Sequence, residues 1–121
     1  PDGSADIYQL IAGLAVACRH GFEMENALEV AEATYVNVNI HKKENEAKLN
    51  TLKQLPDSCE ASAACLESQR GVFEKYNVFS PAMIDGIIKR LSSYSDANLR
   101  AQTEGDQAAM LELVKRYFHC G

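Results

Sequence analysis

The feature that most constrains this chain is an uncharged run of twelve residues near its beginning, residues 7–18. The run is too short to span a bilayer, which takes about 20 consecutive apolar residues. One face follows the helical spacing i, i+3, i+4, i+7, and the other face is apolar too. A helix that is apolar nearly all round is normally covered on several sides, so we predict a core helix. Its large residues, Ile7, Leu10, Ile11, Leu14 and Val16, point in more than one direction, so we expect a small bundle to leave two or three of them uncovered.

Local signals predict where this helix and its successors begin and end. Ser4 and Asp6 can cap the first helix, and Gly21 is a plausible stop. After Pro56, the spacing of Asp57 and Glu60 predicts a capping box for a helix that runs to about residue 76. Ser80 followed by a proline predicts another helix start. A last helix is predicted over residues 106–119.

Apolar periodicity predicts which side chains these later helices bury. Residues 24–35 form an amphipathic pattern whose outer face carries three glutamates, and residues 41–50 are polar enough for an exposed helix or surface loop. The predicted inward residues are Leu28, Ala31 and Tyr35 in the second helix; Cys65, Leu66, Val72 and Phe73 in the helix after Pro56; Met83, Ile84, Ile87, Ile88, Leu91 and Tyr94 after Pro81; and Met110, Leu113, Val114 and Tyr117 in the last.

The fold class that follows is all-α, a small bundle of about four to six helices in a single domain over residues 1–121. Residues 34–40 alternate apolar side chains with asparagine, which is compatible with one short strand from Thr34 to Ile40. Hydrophobic residues make up 46% of the chain and charged residues 24%, which is typical of a globular protein. No internal repeat, low-complexity tract or linker is visible.

The charge balance bears on partners and location. The net charge is −5, which argues against nucleic acid, because phosphate binding needs basic clusters. The first four residues lack the basic and apolar regions of a signal peptide, and we expect a cytoplasmic protein. Because the chain has no starting methionine, we also expect that it is processed or excised from a longer one.

A catalytic constellation is hard to build from these residues. The seven glycines are scattered, and His20, His41 and His119 lie in different segments without a motif that ties them to a nucleophile. The four cysteines include no Cys-x-x-Cys pair, and the nearest approaches to a metal-ligand cluster are Cys18 with His20 and His119 with Cys120. We assign no catalytic, cofactor-binding or metal-binding residue, although a small Cys/His metal protein stays an alternative.

Two stretches resemble the C-terminal part of glutamine synthetases. The first is PDGSADIYQLIAGLAVACRHG, residues 1–21, which looks like the family's Pro-Asp pair leading through Ser-Ala-Asn-Pro-Tyr into a helix rich in Ala and Leu. Asp6-Ile7 stands where Asn-Pro is usual, a change that leaves the helix start intact. In the family this segment follows a strand that bears a metal-binding Glu and a substrate-contacting Arg.

The second stretch is LPDSCEASAACLESQRGVFEKYNVFSPAMIDGII, residues 55–88. It is similar to the family's later pattern of a capped helix presenting Ala and Leu, an Arg before a Phe, then Val-Phe and a helix with Ile-Asp. Some bacterial members carry an adenylylated Tyr between the two stretches, in an Asn-Leu-Tyr context. Asn39-Ile40-His41 is the nearest match here, so the resemblance implies that this control is absent.

The resemblance implies a parent enzyme that joins ammonia to glutamate with ATP and magnesium or manganese, through a γ-glutamyl phosphate. The family's metal and nucleotide ligands precede Pro1, so this segment would be an inactive scaffold that packs against the catalytic sheet and neighbouring subunits. By itself we expect it to self-associate, without nucleic acid or membrane as partner. The alternative is a stand-alone helical module that receives a partner helix.

We predict that all four cysteines are reduced in protein made in the cytoplasm, because the spacing matches no disulfide framework. Titration of thiols in denaturant should count close to four per chain. A count near zero would contradict both the predicted compartment and the predicted redox state.

Overall fold

The computed structural model describes residues 5–40 and 42–118, and these residues form helices joined by short connections. The α-helices are α1 (Ile7–Glu23), α2 (Ala27–Thr34), α3 (Glu46–Leu49), α4 (Cys59–Glu74), α5 (Pro81–Ser92), α6 (Leu99–Thr103) and α7 (Gln107–Tyr117), with 3₁₀ turns at Lys43–Asn45 and Lys75–Asn77. The all-α prediction is confirmed. The described helices number slightly more than the predicted four to six because α3 and α6 are single short turns.

The strand proposed for residues 34–40 is wrong. Thr34 ends α2, and residues 35–40 form no strand. A strand needs a neighbour to complete its ladder, and no strand occurs within 5–40 or 42–118. Val36 and Val38 consequently have no sheet surface on which to pack and stay partly exposed.

The predicted stop at Gly21 is also wrong, because α1 continues to Glu23. The amide of Met24 still donates to the carbonyl of His20 at 3.1 Å, so helical hydrogen bonding passes through the glycine. The side chains of Arg19 and Glu23 pair at 3.0 Å across the same turn. A helix-interior glycine costs about 1 kcal/mol relative to alanine, which is too little to end a helix by itself.

Capping residues set most of the other helix boundaries. Asp6 accepts from the amides of Tyr8 and Gln9 at 3.0 and 3.1 Å, which confirms it as a cap of α1. The hydroxyl of Ser80 accepts from the amide of Met83, and Pro81 occupies the first helical position of α5, as predicted. For α4 the cap is Ser58 and not Asp57, because the Ser58 hydroxyl lies 3.0 Å from the amide of Ala61. Ser4 and His119, which belong to the predicted ends, lie outside the described residues.

The chain divides into two compact units, Pro1–Ala17 with Pro56–Gly121, and Cys18–Leu55. The first unit holds the core, in which Val16 of α1 meets Phe79 and Ile84. Ile84 is 1% exposed. The partly buried residues that pack against these three are Ala12, Leu66, Val72, Phe73 and Ile88. The inward positions predicted for α4 and α5 are therefore confirmed as buried or partly buried, except Met83 and Tyr94, which are exposed.

Helices α4 and α5 form a hairpin in the first unit. A tight connection joins them, with Tyr76 and Asn77 at positive φ of 68° and 56°. Phe73 and Phe79 lie on either side of it with ring centroids 5.9 Å apart, edge to face. The guanidinium of Arg70 spans the two helices, 2.8 Å from both Glu74 and Asp85.

Two predicted apolar faces are not buried in the structure. In the second unit Leu28 is 81% exposed, and Ala31 and Tyr35 are exposed too, so the predicted inward face of α2 is wrong. Of the four residues predicted inward on α7, Leu113 is partly buried, whereas Met110, Val114 and Tyr117 are exposed. Amphipathic spacing identifies an apolar face, but burial also requires a neighbour that covers it.

Replacing Ile84 with Ala should lower the free energy of unfolding by about 2–5 kcal/mol, because it leaves a cavity at the centre of the core. Urea denaturation at low micromolar concentration, followed by circular dichroism, measures the change. The matched control is Ile11→Ala, which trims an isoleucine that is 59% exposed and should cost less than about 1 kcal/mol. Equal losses at the two positions would contradict the observed placement of the core.

Candidate functional site

A cleft of about 490 Å³ opens in the first unit beside the N-terminal end of α4. Its volume falls within the roughly 300–1,000 Å³ usual for small-molecule sites. The wall is formed by that end of α4, the turn that precedes α6, and one side of α7. The residues that line it are Cys59, Tyr94, Ser95, Asp96, Leu99, Gln102, Leu113, Arg116 and Tyr117.

Asp96 is the charged group at the α4 side of the cleft. Its two carboxylate oxygens accept from the amides of Cys59 and Glu60 at 2.8 and 3.0 Å. These amides are among the first N–H groups of α4, which have no partner inside the helix. Together with Ser58, which accepts from the next amide, Asp96 completes the cap of α4 from a distant part of the chain.

The backbone of Ser95 aims Asp96 at this helix end. Ser95 has φ of 50°, in the left-handed region that non-glycine residues adopt uncommonly. It directly follows the turn in which the amide of Tyr94 donates to the carbonyl of Leu91 at 3.3 Å. The chain thus reverses just after α5, and the next residue reaches back to α4.

Hydrogen bonds and burial set the protonation of the two ionisable groups that meet here. The backbone amides of Cys59 and then Glu60 hold the pKa of the Asp96 carboxyl below its ordinary value. Burial, followed by the hydrogen bond to Asp96 and the negative charge of Asp96, raises the pKa of the Cys59 thiol. At neutral pH Asp96 is therefore a carboxylate, and Cys59 is a thiol.

This pair is poorly suited to catalysis. The nucleophilic form of cysteine is the thiolate, which the surroundings of Cys59 disfavour. A general acid or base works best with a pKa near the operating pH, and the pKa of Asp96 moves away from neutrality. The Asp96 carboxylate instead holds the end of α4 through the backbone amides of Cys59 and Glu60.

Aromatic rings form the opposite side of the cleft. The ring centroids of Tyr94 and Tyr117 are 6.4 Å apart and tilted by 58°. The guanidinium of Arg116 lies 5.6 Å from the centroid of the Tyr117 ring. These contacts connect the end of α7 to the turn after α5. The cleft thus lies where the start of α4, the turn before α6 and one side of α7 meet.

No residue was assigned a catalytic, cofactor or metal role from the sequence, and the structure places the nearest candidates as follows. Cys18 and His20 are both exposed on α1, two positions apart, a spacing at which helix side chains do not face each other. His41, His119 and Cys120 lie outside the described residues. Within 5–40 and 42–118, no three His, Cys, Asp or Glu residues are grouped as a metal site would require.

Sequence reasoning missed Asp96 as the second cap of α4. Its amide partners lie 37 and 36 positions earlier in the chain. Capping signals act within about three residues, so no local pattern connects these positions. The one available sign was a serine and an aspartate directly after the predicted helix, which is typical of a turn.

No family model, curated protein or solved structure matches this chain. Among the described helices, none is both long and apolar enough to cross a membrane.

Changing Asp96 to Asn should lower the stability of the first unit at neutral pH, because the charged acceptor at the start of α4 is lost. The pKa of Asp96 is lower in the folded state than in the unfolded chain, so its contribution is complete above the ordinary Asp pKa of about 4. The contribution is lost as the pH falls through the folded-state value. Urea midpoints of the two proteins should therefore converge below about pH 4.

The control is Glu104→Gln, which removes the same charge from an exposed residue at the end of α6. Its midpoint should follow that of the unchanged protein at every pH. A gap between Asp96→Asn and the unchanged protein that stays constant down to pH 2 would contradict the capping role of the carboxylate.

Proposed function

We propose that this chain is the helical C-terminal part of a glutamine synthetase. Its parent would make glutamine from glutamate, ammonia and ATP with magnesium or manganese, and this segment would serve as a scaffold for the catalytic sheet. The resemblance of residues 1–21 and 55–88 motivates the proposal. The observation that carries it is a helix, α1, whose two opposite faces are both apolar although its own unit covers one of them.

The inner face of α1 belongs to the core. Val16 is buried against Phe79 and Ile84, and Ala12 packs beside it. At 100° per residue, the positions of Ile7, Ile11 and Leu14 cluster on the opposite side of the helix from Val16. These three side chains are 60%, 59% and 58% exposed.

The exposed face represents a substantial loss of hydrophobic stabilisation. Complete burial of one such side chain is worth roughly 1.5–3 kcal/mol, so the exposed portions of the three add up to about 3–5 kcal/mol. Whole domains are stable by only about 5–15 kcal/mol. Because this loss is comparable to the stability of a domain, we infer that the exposed face of α1 normally lies against another surface. In the proposed parent that surface is the sheet that carries the active site.

The chemistry of the described residues supports a scaffold role. In the cleft, the Asp96 carboxylate caps α4, and the Cys59 thiol lies in hydrogen-bond contact with that carboxylate. Arg70 is engaged by Glu67, Glu74 and Asp85 on the α4–α5 hairpin. In the family, the ligands for the metal ions and the nucleotide lie on strands that precede this segment, so ATP and metal would be bound by the rest of the parent.

The second candidate is a stand-alone interaction module, which the same exposed face of α1 favours. An amphipathic helix from a partner could lie along Ile7, Ile11 and Leu14 as helices do in apolar grooves. The codons directly before Pro1 in the gene distinguish the synthetase from the interaction module. Codons for a Glu-x-Arg strand directly before Pro1 support the synthetase, and a start codon at that place supports the module.

We predict that the 121-residue chain alone makes no glutamine and transfers no γ-glutamyl group, because the metal and nucleotide ligands lie outside it. Co-expression with the polypeptide encoded upstream should restore γ-glutamyl transfer. Ile11→Asp should reduce the restored activity at least tenfold, because it puts a charge on the face that meets the sheet.

Leu28→Asp is the control, since it introduces the same charge at a leucine of another helix, α2, that is 81% exposed. It should leave the restored activity within about twofold, the change expected for a neutral surface substitution. Metal-dependent ATP turnover by the 121-residue chain alone, above a mock purification, would defeat the proposal. Full activity of the upstream polypeptide without this chain would defeat it as well.

A further inference from the structure

The exposed face of α1 has the spacing of a coiled-coil seam. Ile7, Ile11, Leu14 and Cys18 follow one another at intervals of four, three and four residues, which is the alternation of d and a positions in a heptad. All four are exposed. We call these residues the outer seam. Helices with such a seam pack side by side with knobs in holes, so the geometry calls for another helix lying along α1.

The surroundings of the outer seam are free of charge. Its flanking positions are Tyr8, Leu10, Ala15 and Ala17, and the nearest charged residues along the chain are Asp6 and Arg19, one beyond each end. In a twofold symmetric interface a charge near the axis lies beside its own copy, and a charge elsewhere needs an opposite charge to meet it, so a purely apolar seam must be uncharged. The outer seam meets this requirement although the chain carries a net charge of −5.

We propose that two copies of this chain pair through the outer seam of α1, each covering the seam of the other. A second copy supplies a helix of matching spacing and matching apolar character. The small side chains of Ala15 and Ala17 let the two backbones approach closely at the flanks. The pairing concerns the 121 residues by themselves and does not depend on the proposed parent enzyme.

The size of the seam sets the strength of the pairing. The seam extends over about 16 Å, at 1.5 Å per residue. Stable complexes bury about 800 Å² on each partner, more than three or four side chains of a short helix supply. We therefore expect a reversible dimer with a dissociation constant in the micromolar range. In the proposed parent, the catalytic sheet and a second copy would compete for the same side chains.

Sedimentation equilibrium of the purified chain, from low to high micromolar concentration, tests the pairing. The mass should rise with concentration from that of one chain, 13.3 kDa, towards twice that value. Ile11→Asp places two desolvated charges at the centre of the seam and should raise the dissociation constant at least about a hundredfold. Circular dichroism should stay unchanged, because Ile11 lies away from the core.

Leu14→Glu is a second variant on the same seam and should also give a monomer, in case Ile11→Asp impairs folding. Leu28→Asp introduces the same charge at an exposed leucine on α2 and should dimerise as the unchanged chain does. A clean monomer of the unchanged chain at high micromolar concentration would overturn the proposal. So would a dimer, or a larger species, that both folded seam variants still form. The result is independent of enzyme activity, so it can fail while the proposed function stands.

Discussion

The burial of Ile84 is the contact on which the rest of the first unit depends. Its side chain lies where α5 meets Val16 of α1 and Phe79 of the preceding connection, and it is the largest fully buried side chain among the described residues. Leu66 and Phe73 bring α4 to the same place. Because hydrophobic burial has no preferred direction, it holds these elements together without fixing their exact alignment. The alignment comes from polar contacts at the two ends of the α4–α5 hairpin.

These polar contacts fix the alignment of the helices more than they increase the free energy of unfolding. Arg70 reaches Glu74 on its own helix and Asp85 on α5, but all three side chains are partly exposed, and such pairs are individually worth about 0–1 kcal/mol. At the other end of the hairpin Asp96 fastens the chain that follows α5 to the start of α4. The cleft beside Asp96 is a by-product of this junction. Its acidic residue, Asp96, and its thiol, Cys59, are in contact at this junction.

The sequence predicted those features of the fold whose causes are local. Asp6 and Ser80 cap helices because their oxygens reach amides two or three residues ahead, a distance that a sequence pattern can represent. The inward positions in α4 and α5 were also predicted, since these two helices cover each other. The exposure of Leu28 and Val114 could not be predicted, because it depends on whether another element covers an apolar face. The hydrogen bond between Asp96 and the amide of Cys59 could not be predicted for a related reason, since it joins distant positions of the chain through the tertiary fold.

The exposed apolar face of α1 likewise depends on a surface that could cover it. Its contact with the core uses Ala12 and Val16, so the fold of the first unit alone would tolerate polar residues at Ile7, Ile11 and Leu14. Soluble helices normally place charged side chains on such an outward face, yet α1 has none between Asp6 and Arg19. The outer seam is thus mostly exposed in the part of the chain that the structure describes. The apolar composition of the outer seam is accounted for when another surface lies against it. That surface is either the sheet of a larger enzyme or the same helix of a second copy. In either case it must be apolar, uncharged and close-fitting.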